Sequence, residues 1–203
     1  MKTIRTVLLD MGNVLVDYVP TLFCAYDMSD IEKVDSFVYR IFYTQAWLDA
    51  DLGIISEEEC LFQILKNFAI EDHELVKKIF WNWDEKLHAK EGIPALLKAL
   101  KKKKLKLILA SNASVRYHRY LHRIDGLELL DDIVYSCDLK LAKPNPDFYN
   151  YIILNKAILP EETLFIDDSL ENCRAAHDLG FRTYHSNGDV KSLIQYLKFV
   201  NIL

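Results

Sequence analysis

With 203 residues, 51% of them hydrophobic and 27% charged, the chain is long enough for one sizeable core, or for a core carrying a smaller inserted unit. Its net charge of −5 removes the electrostatic case for nucleic acid or an anionic membrane as partner, so a small anionic substrate has to be attracted locally. No run reaches the roughly 18 to 20 apolar residues of a membrane span. The first nine residues lack the long apolar region of a signal peptide, and Cys24, Cys60, Cys137 and Cys173 are scattered without a CxxC pair, so reduced structural thiols in a cytoplasmic protein are expected.

The first predicted strand, Thr3 to Leu9, ends in the apolar run Val7-Leu8-Leu9. Regular strand and helix alternation then lapses until about Gly92. Between them, Ile31 to Phe42, Ser56 to Phe68 and Asp72 to Asn82 carry apolar residues three and four apart and read as helices, the second opening on the capping box Ser56-Glu57-Glu58-Glu59. From Gly92 the pattern is helix (Ile93 to Leu100), strand (Leu105 to Ala110), helix (Ser114 to Ile124), strand (Ile133 to Ser136), helix (Asp147 to Ala157) and strand (Thr163 to Ile166). A helix from Leu170 to Leu179, a strand near Arg182 to Tyr184 and a last helix from Val190 complete it. The alternation argues for an α/β, doubly wound parallel sheet with helices on both faces.

Four short segments carry chemistry. Asp10 follows the first strand, Ser111-Asn112 the second, Lys143-Pro144-Asn145-Pro146 lies after the third, and Asp167-Asp168 follows the fourth. Such strand ends are where an open parallel sheet gathers ligand-binding groups. A carboxylate on a tight strand exit can attack phosphorus and form an acyl phosphate. Ser111 and Asn112 can donate hydrogen bonds to phosphate oxygens, and Lys143, stiffened by two prolines, can hold a point charge beside them. Asp167 and Asp168 would repel Asp10 unless a cation sits among them, and Mg²⁺, which takes oxygen ligands and bridges to phosphate, is the natural one.

The spacing locates an insertion. Ser111 lies 101 positions after Asp10, whereas Lys143 follows Ser111 by 32 and Asp168 follows Lys143 by 25. A βαβ unit needs about 30 residues, so the first gap carries about 70 more. The expected division is a core of residues 1–17 and 89–203 and an all-helical insert of residues 18–88.

In the order Asp10, Ser111, Lys143, Asp167-Asp168, the chain resembles the haloacid dehalogenase-like (HAD) hydrolases over nearly its whole length. That resemblance implies a Rossmann-like core, a helical cap that closes the site and chooses the substrate, and a Mg²⁺-dependent phosphatase working through an aspartyl-phosphate. It implies that Asp168 ligates the metal with Asp10 and the Gly12 carbonyl, that Asp167 acts through water, and that Asn172 orients the site. It also puts the turn Asp51-Leu52-Gly53 near the site, so Trp47 is the tryptophan expected to touch substrate, with Trp81 and Trp83 packing the insert.

The sequence departs from the family pattern at Gly12, where many members carry an acid that protonates the leaving group. Asp17 is a candidate substitute. The Asp-Met-Gly-Asn-Val form is similar to a bacterial subgroup that includes a sugar-1-phosphate phosphatase, so a small phosphorylated metabolite, a sugar phosphate among them, is the expected substrate. Two alternatives stay open: a metal-free 2-haloacid dehalogenase, which also lacks that acid, and a non-catalytic phospho-ligand or protein-binding module. His118 and His122, interleaved with Arg116, Arg119 and Arg123, read as a solvated basic face rather than a zinc site.

Overall fold

The computed structural model describes residues 2–203. The first strand, β1 (Thr6–Leu9), ends at Asp10, and the chain turns into an all-helical stretch: α1 (Pro20–Ala25), α2 (Val34–Phe42), α3 (Gln45–Asp51), α4 (Glu57–Leu65) and α5 (His73–Asn82). The predicted helices at 31 and 72 each begin with a 3₁₀ turn, so regular α-helix starts later, at Val34 and His73. Ser56 caps α4 as expected, accepting from the Glu59 N–H at 3.2 Å, but the Glu59 carboxylate accepts from Gln63 instead of closing the box. Helix α3 is not foreseen by apolar spacing. It is only seven residues long, and its signal is local: Thr44 accepts from the Trp47 N–H at 3.1 Å and Gly53 ends the turn that follows.

The return to the core contains α6 (Ile93–Lys102), β2 (Lys106–Ser111), α7 (Tyr117–Tyr120), β3 (Asp132–Tyr135), α8 (Ser136–Leu139), α9 (Pro146–Asn155), β4 (Thr163–Asp167), α10 (Leu170–Asp178), β5 (Arg182–His185) and α11 (Val190–Phe199). All strands are parallel, in the order β3-β2-β1-β4-β5. Strand alternation sends Val7 and Leu9 to one face and Leu8 to the other, and both faces are covered. On the first, Val7, Leu107 and Leu164 pack with Leu97 of α6 and Leu197 of α11; on the second, Leu8, Ile108 and Phe165 pack with Phe148 and Tyr149 of α9. Each such side chain contributes about 1.5–3 kcal/mol on burial. The two passages between sheet and helical stretch run side by side: Val16 bridges Ala89, and the Lys90 N–H donates to the Leu15 carbonyl at 2.9 Å.

The structure corrects the sequence reading between Ser114 and Ile124. The expected helix is reduced to the four residues of α7 and a 3₁₀ turn, and Arg116 is buried rather than solvated. Its guanidinium donates to Glu57 of α4 at 2.5 Å and to the Phe80 carbonyl of α5, while Arg123 donates to the buried carboxylate of Asp84 at 3.0 Å. A basic residue of the sheet half thus clamps two helices of the insert, which the periodicity of a surface helix could not reveal. His118 and His122 are exposed. All four cysteines are buried and unbonded, and among the described residues no helix is long and apolar enough to cross a membrane.

Candidate active site

Because β1 pairs in register with both neighbours, Leu9 lies beside Leu109 and Ile166, and the residues that follow emerge together at one edge of the sheet. Asp10 is anchored there by its N–H, which donates to the Ile166 carbonyl at 2.9 Å. Ser111 is the last residue of β2 and Asp167 the last of β4, with Asp168 next; Lys143 arrives on the loop between α8 and α9. Asp10, Ser111 and Lys143, with Asp168 and Asn112, line one pocket of about 310 Å³.

Lys143 is the hub. Its buried ammonium donates to Asp10 Oδ1 at 2.6 Å and to Asp167 Oδ2 at 2.7 Å. Burial by itself would depress this ammonium, but Asp10 and Asp167 outweigh it and hold its pKa above the ordinary value. Burial pushes the Asp10 carboxyl up to about 7 against the pull of Lys143, with repulsion from Asp167 and Asp168 adding to the rise. Asn112 is tied to the lysine loop. Its side chain donates to the Lys143 carbonyl at 2.8 Å and accepts from the Lys143 N–H at 2.9 Å, so the amide clamps the lysine loop.

The acidic pair divides by environment. Asp167 is fully buried, and besides Lys143 it accepts from the Ser169 N–H at 2.8 Å and from Asn172 Nδ2 at 2.9 Å. Asn172 therefore helps to fix the Asp167 carboxylate. Asp168 is half-buried and accepts from Asn13 Nδ2 at 2.9 Å. Asn13 escaped the sequence reading; its signal was an Asn in a tight exit turn, and its φ of 55° is the left-handed conformation Asn tolerates. Oxygens of Asp10, Asp167 and Asp168 lie within 4.8 Å of one another, an all-oxygen donor set suited to a hard divalent cation. The Gly12 carbonyl, expected beside them, accepts from the Val14 N–H at 2.7 Å and keeps a second lone pair.

The upper wall is aromatic and comes from the insert. Trp47 lines the pocket as expected, but so do Phe42, Tyr43 and Trp83, with Tyr18. Trp83 was expected to serve only packing; instead its ring stands 5.7 Å from that of Trp47, and its indole nitrogen is buried without a partner. Trp81 packs edge-on against Phe80 at 5.0 Å, away from the pocket. Asp17 does not reach the site: it is exposed and paired with Lys90 at 2.6 Å. Asp51, at the end of α3, does line the pocket, and burial pushes its carboxyl up to about 7.

The turn that carries Asp51 is seated on the sheet half. Ser136 Oγ donates to the Asp51 carbonyl, and Gly53, at φ 65°, lies so close that a Cβ there would stand 2.4 Å from the Cys137 carbonyl oxygen. Gly53→Ala is expected to cost about 1–3 kcal/mol through backbone strain, with the collision in addition. Urea unfolding measures this, and a loss under about 0.5 kcal/mol would show that the turn is not held against Cys137.

The chain is 28% identical over 204 residues to a phosphorylated carbohydrates phosphatase of Thermotoga maritima, covering 94% of this chain and 90% of that protein. Its fold matches a HAD family enzyme of Bacteroides thetaiotaomicron, crystallised as a magnesium complex, with a TM-score of 0.74 at 22% identity, covering 96% of this chain and all of that one. A dehalogenase crystallised with an intermediate is similarly alike, with a TM-score of 0.76 at 17% identity and 98% of each chain covered, so the fold by itself does not choose between the two chemistries. Residues 4–180 match the haloacid dehalogenase-like hydrolases, and the chain belongs to that family of enzymes.

Proposed function

We propose that this hydrolase is a Mg²⁺-dependent phosphatase that cleaves a small phosphate monoester through an aspartyl-phosphate on Asp10. The observation that carries the reading is the Lys143 ammonium held between Asp10 and Asp167 on the floor of a pocket whose rim holds Asp168 and Ser111. A haloacid substrate needs no metal, so three carboxylates within 4.8 Å of one another favour phosphate chemistry. A mere binding module has no use for an attacking group aligned on a buried lysine.

In this reading Asp10, Asp168 and the Gly12 carbonyl hold Mg²⁺, which when bound offsets the negative charge of the carboxylates and the phosphate. Asp10 attacks phosphorus, Lys143 and the Ser111 hydroxyl hold the phosphoryl oxygens, and Asp167 fixes Lys143 and would help to hold the metal. Residues 18–88 form a cap over a core of residues 1–17 and 89–203, since the pocket takes its floor from one and its aromatic wall from the other. Working in the cytoplasm suits four buried, unbonded cysteines.

The relative from Thermotoga maritima supports a sugar phosphate as substrate. The wall of Phe42, Tyr43, Trp47 and Trp83 favours, as a second reading, the phosphate ester of an apolar alcohol. A panel of hexose, isoprenoid and aryl phosphates, each assayed with chelator and with Mg²⁺, separates them. Turnover of at least one ester is expected to vanish with chelator and return with Mg²⁺. Halide release from a chlorinated acid in chelator would instead establish the dehalogenase, and inertness toward every substrate would establish the binding module.

A further inference from the structure

We propose that Asp51 is the general acid and base of this site, giving its proton to the departing alcohol and then taking one from the attacking water, in place of the side chain that Gly12 lacks. The proposal rests on the phosphatase reading above. Asp51 and Asp10 line the same pocket, one from the helical insert and the other from the sheet, so an ester lying between them has its phosphorus toward Asp10 and its alcohol toward Asp51. Gly12 cannot supply the proton, and Asp17 is exposed and engaged by Lys90.

The surroundings of Asp51 strengthen its hold on a proton. The buried carboxylates Asp10, Asp84 and Asp167 each have a cation within 3.0 Å, whereas the half-buried Asp51 has no salt-bridge partner among the described residues. It is the last residue of α3, where helix carbonyls disfavour a negative charge. Tyr18 and Tyr120 share the pocket with it and Cys60 lies beside it, Glu57 adds repulsion, and Arg116, the Ser114 backbone and the Trp47 side chain pull the other way. Burial dominates and leaves the carboxyl near 7, where it can both donate and accept.

The steps balance. As the bond from Asp10 oxygen to phosphorus forms, the bond from phosphorus to the alcohol oxygen breaks, and its electron pair takes the Asp51 proton to release neutral alcohol. Water then attacks phosphorus and passes a proton to the Asp51 carboxylate, and the Asp10–phosphorus bond breaks to leave inorganic phosphate and both aspartates as they began.

The test is Asp51→Asn, assayed with Mg²⁺ on two esters that the parent hydrolyses: an alkyl phosphate, whose alkoxide needs a proton to leave, and p-nitrophenyl phosphate, whose phenolate does not. We expect kcat/KM on the alkyl ester to fall by about 10²–10⁴. On the aryl ester the first nitrophenolate appears within about tenfold of the parental rate. Turnover then slows, and a phosphorylated protein accumulates in the intact mass spectrum because water is no longer activated. Damage to the fold lowers both esters in proportion, so the ratio isolates the proton. Equal losses on the two esters, or unchanged activity on both, would overturn the assignment while the phosphatase reading stands. A parent that hydrolyses no ester with Mg²⁺ would overturn both.

Discussion

Asp10→Asn is expected to lower kcat for any phosphate monoester by more than about 10³-fold while leaving the protein folded. The amide keeps the size and planarity of the carboxylate but has no anionic oxygen to attack phosphorus, and no other carboxylate can take its place. Asp167 is occupied by Lys143, Ser169 and Asn172, and Asp168 is turned by Asn13. The fold should hold because Lys143 keeps its 2.7 Å contact with Asp167 and because the amide needs less solvation than the charge it replaces. Steady-state rates on an ester that the parent hydrolyses, with a thermal melt beside them, provide the check. Activity above a tenth of the parent's would refute the assignment of the nucleophile.

Lys143→Met should abolish turnover and also destabilise the fold, by about 3–5 kcal/mol at pH 8, because it leaves Asp10 and Asp167 facing each other without their shared cation. The penalty depends on pH in a defined direction. The Asp10 carboxyl already has a raised pKa, near 7, and losing Lys143 raises it further. A folded-state pKa above the unfolded one makes the protein more stable when protonated, so the deficit grows as pH rises from 5 to 8 and shrinks on acidification. Urea unfolding at the two pH values measures this. A deficit that is equal at both would show that Lys143 contributes packing rather than charge. Asp10→Asn in the same background should recover part of the stability at pH 8, since one of the two opposed carboxylates is then gone.

Much of the site was legible because each of its parts is announced by local chemistry. Asp10, Ser111 and Asp167-Asp168 all follow short apolar runs, and a parallel sheet has only one edge at which such runs end. Lys143 stands out from the other lysines by the two prolines after it. Arg116 reads differently. In sequence it belongs to a basic, helix-like stretch, and only the approach of Glu57 and Phe80 from the insert turns it into a buried clamp.

By itself the sequence determined the succession of the five strands, the helical stretch inserted after the first of them and the candidate roles proposed for Asp10, Lys143 and Asp167-Asp168, since periodicity, capping and strand-end chemistry act over a few residues. Tertiary structure decided what faces what: that the Asn112 side chain clamps the Lys143 backbone, that Trp83 joins Trp47 in the pocket wall, and that Asp17 turns away to Lys90 while Asp51 lines the pocket. Asp17 follows the apolar run Val14-Leu15-Val16 and Asp51 shares its stretch with Asp49, and local chemistry alone does not say which of these carboxylates faces the pocket. The difference arises when the helical insert folds back on the sheet, leaving one carboxylate in water and setting the other, half-buried, beside Tyr18, Trp47 and Tyr120 on the pocket wall.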